Sequence, residues 1–423
     1  MKTILHKLKL IFEDPTLRKK MYFTFGALLV FRFLANIPLP GVDTNQLAVY
    51  LEGNNILGLL NIFSGGGLTR LSIIMLGVSP FITASIIMQL ATFMSEKVKA
   101  MYQDEGETGR KKMAQYSRLL TIPLAFIQGF GFIGLLKSQN ILGELPTFEF
   151  ATILIVSVAG SLLLTWIGEL VTEFGIGNGV SLIIFAGIVA ALPQAVIRFF
   201  ITFDPTQIPT YIIGIIIAIV VIYAVVIITE AERPIPVTYA KQVRGMKTMG
   251  GQSTYLPIRL NQAGVIPIIF ALSILLFPQM ILSFASKLNV EVIQNVSNFM
   301  LVQLQNQWIY AALYFILVFL FTYFYTAVTF DPEKIAENLQ KGGAFIPGVR
   351  PGKPTIDHLA HIATRLTLFG ATFLGLIAVL PIVMQVLTKN QSLTIGGTAL
   401  LIVVSVVIEL VKKMDAQVSM REY

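Results

Sequence analysis

Cysteine is missing from the 423 residues of this chain, and histidine occurs three times. The first absence excludes disulfides, thiolate catalysis and Cys-ligated metals. His358 and His361 are close enough to share a helical turn, but no third ligand accompanies them, so no metal and no cofactor is expected. Charge is scarce too. Asp, Glu, Lys and Arg make up 13% of the chain, against about a quarter in a soluble domain. With 55% hydrophobic residues and a mean hydropathy of +0.75, the chain cannot cover a globule with charge, and lipid is its expected solvent. Nucleotide-binding glycine loops, zinc-protease helix motifs and GxSxG elbows are all missing, so the chain reads as no enzyme. Charges inside apolar segments are few: Arg32 near the middle of one, Glu169 and Glu409 near the ends of others. An ion-coupled transporter or proton pump runs on buried carboxylates, so that class is disfavoured. Arg32 reads as structural.

What is present is apolar length. A span needs about 20 mostly apolar residues, and ten segments qualify, near 21–37, 71–93, 119–136, 151–171, 180–197, 208–229, 262–283, 308–329, 366–387 and 393–411. Basic residues test the count. With a cytoplasmic N-terminus and strict alternation, the outer side holds one basic residue per loop: Arg70, Lys137, Arg198, Lys287 and Lys389. Apart from Arg32, all the others of the 31 Lys and Arg fall on the cytoplasmic side. That bias is the positive-inside pattern, and it puts both termini in the cytoplasm. The N-terminal "MKTILHKLKLIFEDPTLRKK" has no small-residue cleavage pattern. Its Ile4, Leu5, Leu8 and Ile11 or Phe12 recur at helical spacing between lysines, which suits a helix on a membrane surface or against a partner.

Two cytoplasmic loops are long. In 230–261, "IPVTYA" favours strand and "RGMKTMGG" a turn, giving a hairpin with Lys241, Arg244 and Lys247 near its tip. In 331–365, Asp331 suits a helix cap, Pro332 a first turn and Gly342-Gly343 a stop. "FIPGVRPGKP" then follows as a stiff exposed loop bearing Arg350 and Lys353. Charges alone orient a membrane protein, but orientation needs no structured loop of this length.

The apolar segments also carry breakers and modest polarity. Residues 71–93 include Gly77, Pro80, Thr83, Ser85 and Gln89; the third segment holds Gln128; the seventh opens with Asn261-Gln262 and contains Gly264 and Pro267. Such residues serve close packing, or an interface built to come apart. Before the second segment, a short apolar piece at 56–63 ends in Gly65, Gly66 and Gly67, too short to cross anything.

Several stretches then occur in one order: "FRFLANIPLPG", "NIFSGGGLTRLSIIMLGVSPFITASIIMQL", "GETGRKKMAQYSRLLT", "VTEFGIGNGVSLIIFAGIVAALP", "QSTYLPIRLNQAGVIPIIFA", "DPEKIAENLQKGGAFIPGVRPG" and "GGTALLIVVSVVIEL". Together they resemble the SecY/Sec61-alpha family of protein-conducting channels over nearly the whole chain. One departure is Phe174, where members often carry Arg; it removes a charge from a short cytoplasmic loop.

The resemblance implies an all-α membrane fold. Ten transmembrane helices form a clamshell of two pseudo-symmetric inverted halves, 21–204 and 205–411, flanked by cytoplasmic segments 1–20 and 412–423. It implies a passive pore with a waist of Val78, Ile82, Val180, Ile184, Ile269 and Ile402. A narrow apolar ring dewets against ions yet does not hold a passing peptide. The 56–67 piece becomes a plug, with Leu57, Leu60, Asn61, Ile62, Phe63 and Ser64 as its body and the three glycines as its tether. A lateral gate would run between spans 2–3 and 7–8, with Thr83, Ser85, Gln89, Gln128 and Asn261 as a weak polar seam. Lys241, Arg244, Lys247, Arg350 and Lys353 would dock the motor SecA or ribosomal RNA phosphates. Implied partners are SecE, SecG, SecA, the ribosome, signal-bearing polypeptides and lipid, in a bacterial cytoplasmic membrane. A solute transporter or a membrane scaffold are the alternative readings; the first would need midplane charge or a solute pocket, and the second gives no reason for an aliphatic ring.

Overall fold

The computed structural model describes residues 14–39, 67–68, 71–103, 105–138, 146–201, 205–239, 242–244, 247–249, 253–285, 291–388 and 394–419. Helices dominate. In the first part of the chain they are α1 (Pro15–Leu34), α2 (Ser79–Met94), α3 (Glu96–Gln103), α4 (Gly106–Ser138), α5 (Thr147–Phe174), α6 (Gly179–Ile201) and α7 (Ile208–Glu230). Strands β1 (Glu232–Tyr239), β2 (Gln242–Arg244), β3 (Lys247–Met249) and β4 (Ser253–Arg259) follow. The rest comprises α8 (Ile266–Ala285), α9 (Glu291–Gln305), α10 (Gln307–Thr329), α11 (Pro332–Lys341), β5 (Ala344–Phe345), α12 (Lys353–Thr388) and α13 (Thr394–Ser419). A helix therefore lies on each of the ten apolar segments.

Among the described residues, five helical stretches are long and apolar enough to cross a membrane by length and composition: Gly106–Gly134, Thr147–Phe174, Tyr211–Glu230, Gln307–Lys341 and Lys353–Met384. Ser79–Met94, Gly179–Pro193 and Ile266–Leu275 are shorter apolar helices. On α7, Ile212, Ile216, Ile219 and Tyr223 are all exposed, as a helix whose surroundings are lipid requires. The molecule is a multi-pass helical membrane protein.

The second segment departs from expectation. It does not run as a helix from residue 71: residues 73–78 form consecutive turns, and α2 starts only at Ser79. Pro80 therefore sits in the first turn of a helix, where its missing N–H costs nothing, and not inside one. Leu71 and Gly77 both have positive φ, 41° and 59°. The unwound run is held by protein. Ser161 of α5 donates its hydroxyl to the Gly77 carbonyl at 2.8 Å. Beside it, Gly160 lets the backbones touch: a Cβ there would sit 2.0 Å from the Ile73 carbonyl oxygen. The Ile73 N–H pairs with the Ile37 carbonyl, and that of Leu39 with Leu71. Leu39, Leu68, Leu71, Met75 and Leu76 fill a core with Ala125, Phe132 and Ile133 of α4 and Ile153 and Val158 of α5.

Helices α6 and α8 begin in the same way. Gly177 and Gly264 also have positive φ, and each precedes the first helical residue by two positions, as Gly77 does. The seventh segment accordingly opens as a turn at 261–265 rather than a helix from 262. Other helices outrun their apolar cores. Helix α4 starts at Gly106, α12 at Lys353, and α13 continues through Ser419, carrying part of the expected tail. Leu17 of α1 packs on Val418 near its end. The amphipathic α9, between α8 and α10, was not expected.

Strands form in the two long loops; the hairpin of the first was expected, and the strand that joins the second loop to it was not. β1 pairs antiparallel with β4, from Glu232 opposite Arg259 to Thr238 opposite Ser253. β5, from the other loop, pairs with β1 through Thr238–Phe345 and Tyr239–Ala344. Both loops thus share a three-stranded sheet in the order β4-β1-β5. Ile235, Val237, Ile258, Ala336, Ala344, Ile346, Leu359 and Ile362 make their common core. Asp331 caps α11, accepting from the Glu333 and Lys334 N–H groups at 3.1 and 3.2 Å, as read from the sequence.

Ser161→Ala is expected to orphan the Gly77 carbonyl and cost about 1–3 kcal/mol. Gly160→Val forces two backbones apart and is expected to cost more. Thermal unfolding of the detergent-solubilised protein checks the order: wild type, then S161A, then G160V.

Candidate functional site: an apolar waist and a helix seam

The six expected ring residues all belong to one extended apolar cluster. Val78, Ile82, Ile184, Ile269 and Ile402 are buried in one apolar cluster, and half-buried Val180 packs against it. The same cluster includes Phe31, Leu164, Tyr314 and Leu374, so burial alone does not single out the six. Val78 is the N-cap of α2 and Ile82 lies in its first turn. Val180 and Ile184 open α6, and Ile269 lies in the first turn of α8. Ile402 comes from α13, nine-tenths or more buried like its neighbour Leu401. Three helices that start inside the molecule thus each contribute aliphatic side chains from their first turns to this cluster. Asn178 finishes the α6 start, its Oδ1 accepting from the Val180 N–H at 3.1 Å.

Of the expected plug, Leu57, Leu60, Asn61, Ile62, Phe63, Ser64, Gly65 and Gly66 lie outside the described residues. Gly67 is buried, and its carbonyl accepts from the Ser72 N–H at 2.8 Å.

Helix α8 packs against both α2 and α4, where the gate was expected. The polar residues there behave differently from a seam of cross-gate bonds. Gln128 of α4 donates to the Thr83 hydroxyl of α2 at 3.3 Å, which ties two helices of the same side. Asn261 donates to the Gly264 carbonyl at 3.2 Å, closing its own turn. The reason is local. The unwound start of α8 has a carbonyl to satisfy, and the nearest amide side chain takes it. Buried oxygens without a partner remain on both sides, Oε1 of Gln89 and Oδ1 of Asn261. Ser85 is half-buried.

What crosses from α2 to α10 is aromatic. The rings of Phe93 and Phe324 lie 4.7 Å apart, tilted by 44°. Phe270 of α8 meets Phe321 and Tyr325 of α10 edge-on at 6.1 and 6.3 Å, which binds the other side together. These aromatics were missed from sequence, since 30 phenylalanines offer no pattern that picks out a pair.

Four of the five basic docking candidates lie among the described residues. Arg244 and Lys247 oppose each other across the β2–β3 hairpin tip. Arg350 and Lys353 are exposed at the turn entering α12, where the Thr355 hydroxyl donates to the Arg350 carbonyl at 2.9 Å. Lys241 lies outside the described residues. On the neighbouring α11, the hydrogen bond from Lys341 at 2.6 Å holds the Glu337 carboxyl below its ordinary pKa. Arg118 of α4 pairs with Glu169 of α5, Nε to Oε1 at 3.2 Å, which accounts for one of the few carboxylates near a span end.

An apolar cluster fed by three helix starts, a seam beside it and a basic domain made from two joined loops define a class: a helical membrane channel whose core carries no ionised pathway residue among those described here. Comparison with known proteins narrows it. The SecY family profile matches residues 72–411. The protein translocase subunit SecY of Thermus thermophilus is 41% identical, covering 97% of this chain and 95% of that one. Two solved channels share the fold. One concerns the plug domain of the SecY protein, which stabilises the closed state of the translocation channel; it has TM-score 0.67 and 20% identity, covering 96% of this chain and 93% of that one. The other is Sec61 in a canine ribosome-channel complex, with TM-score 0.59 and 19% identity over the same shares, 96% and 93%. This chain belongs to the SecY family.

An aromatic pair is worth about 0.5–1.5 kcal/mol beyond its buried area. A double-mutant cycle on Phe93→Ala and Phe324→Ala, read by thermal unfolding, is expected to return a coupling in that range; strict additivity would show that the rings touch without holding α2 to α10.

Proposed function

We propose that this chain is the pore-forming subunit of a protein translocase, passing unfolded polypeptides across the membrane and releasing apolar helices sideways into lipid. The observation that carries the reading is the waist: three interrupted helices start around one aliphatic cluster in a member of the SecY family. Aliphatic walls dewet when closed and give a moving peptide nothing to bind. The fitting architecture has ten spans in two inverted halves, 21–204 and 205–411, with both termini cytoplasmic in a bacterial inner membrane. The 56–67 piece serves as plug. The chain catalyses no reaction; motion comes from partners. SecE and SecG complete the channel, and SecA or a ribosome docks on the basic cytoplasmic domain. The ribosome-bound Sec61 relative supports that last assignment.

The seam between α8 and the α2–α4 pair is the lateral gate in this reading. Its two sides meet through apolar contact and the Phe93–Phe324 ring pair, and an entering apolar helix exchanges such contacts for its own.

Arg350→Glu is expected to reduce SecA-driven secretion severely while the channel stays folded, because the residue is exposed and only its backbone carbonyl is engaged. Secretion by that variant at the wild-type rate would refute the docking assignment. Replacing Gln128 and Asn261 with leucine is expected to raise or lower the hydrophobicity at which model helices insert; an insertion threshold that stays put removes the polar seam from the mechanism.

A further inference from the structure

Helix α10 carries two buried hydroxyls that the reading above does not use. Tyr314 is 1% exposed and Tyr310 8% exposed, and neither phenol oxygen has a hydrogen-bond partner among the described residues. A buried polar group left unmade is costly, so such groups are few and call for a reason. Spaced at i, i+4 and i+11, Tyr310, Tyr314 and Phe321 share one face of α10. That face meets α8, because the Phe321 ring packs edge-on to Phe270. The tyrosine rings lie 6.2 Å apart. Their depth is set as well. Helix α10 runs into α11 and the cytoplasmic sheet, and Tyr314 stands fifteen residues before its last residue, Thr329. At about 1.5 Å per residue that is roughly 22 Å from the cytoplasmic end. Both phenols therefore sit in the outer half of the α8–α10 wall.

We propose that Tyr310 and Tyr314 form a donor site for the C-terminal turn of an apolar helix lodged in the gate; this rests on the channel reading above. A helix held with its basic N-terminal flank at the cytoplasm points its C-terminus outward. Its last four carbonyls lack internal partners. In lipid or an apolar cleft those carbonyls need donors. Two phenol O–H groups without partners stand at the matching depth. The closed channel thus carries two unmade hydrogen bonds that a correctly oriented helix completes, which favours engagement over closure and selects orientation as well as hydrophobicity.

The test uses the complete translocase, with its partner subunits and motor, in proteoliposomes, and two secretory precursors that differ only in the hydrophobicity of their apolar helix. Tyr→Phe keeps shape and removes only the oxygen. The Tyr310→Phe/Tyr314→Phe double variant is expected to slow the marginal precursor about tenfold, in line with the net worth of one to two hydrogen bonds, and to leave the strongly apolar one near the wild-type rate. Tyr323→Phe, on the same helix but half-exposed, is expected to change neither. Wild-type speed for the marginal precursor, an equal slowing of both precursors, or an equal effect from Tyr323→Phe would each overturn the site. A benzoylphenylalanine replacing Tyr314 is expected to crosslink to the last turn of the precursor helix; crosslinks confined to its first turn would overturn the site too. Failure of the wild-type complex to move either precursor overturns the channel reading and the site with it.

Discussion

A backbone that leaves the helix inside a membrane must find its hydrogen-bond partners in protein, because lipid supplies none. The segment from Leu71 to Val78 meets that constraint, and much else follows. Its Gly77 carbonyl is taken by Ser161, and its close approach is allowed by Gly160. Once the unwound run is docked on α5, the start of α2 is fixed at Ser79. Val78 and Ile82 then have no choice of depth. The same economy recurs at α6, where Asn178 and the Thr172 hydroxyl satisfy the N–H groups of Val180 and Gly179. At α8, Asn261 serves the turn before the helix. Three helices can start inside the molecule because side chains on neighbours or on the turn itself replace the missing backbone bonds.

The seam beside the waist follows from the same shortage. Polar side chains already used to finish a turn or to tie α2 to α4 are not available to bridge the gate. What remains for closure is apolar contact and an aromatic pair, Phe93 with Phe324. Dispersion and ring contacts are non-directional compared with hydrogen bonds. They can be exchanged for similar contacts with an incoming apolar helix at little net cost. A gate closed by a ladder of interhelical hydrogen bonds would resist that exchange, since each bond broken would leave a donor and an acceptor stranded in an apolar place.

Much of this was legible in the chain. Ten apolar segments, the α11 cap at Asp331 and the hairpin of 230–261 all express local rules, and each has its counterpart in the structure. The six aliphatics of the waist rested on resemblance, because aliphatic residues four apart mark any packed helix. What local rules hid was tertiary. Pro80 looked like a break inside a span because the partner that unwinds residues 73–78, Ser161, lies 84 positions from Gly77. The two cytoplasmic loops looked independent because the strand that joins them, Ala344–Phe345, is two residues long. Thr83, Gln128 and Asn261 looked like a bridge because composition tells where a polar side chain is and not which carbonyl claims it first.

That short strand changes what the basic domain can do. The hairpin β1–β4 emerges between α7 and α8, while β5 lies between α11 and α12, and one sheet with one core joins them. Separate loops would each move with their own helices. A shared core of Ile235, Val237, Ile258, Ile346 and Leu359 makes them a single body whose interior resists shear. A load on the three-stranded sheet or on the adjoining Arg350 turn therefore reaches α7, α8, α10 and α12 together. Of these, α8 and α10 form one wall of the seam, tied by Phe270 and Phe321. The opposite wall, α2 with α4, is tied by Thr83 and Gln128. The sheet is continuous in chain with α8 and α10 and not with α2 or α4, so a load on it reaches the second wall only across the boundary between the two.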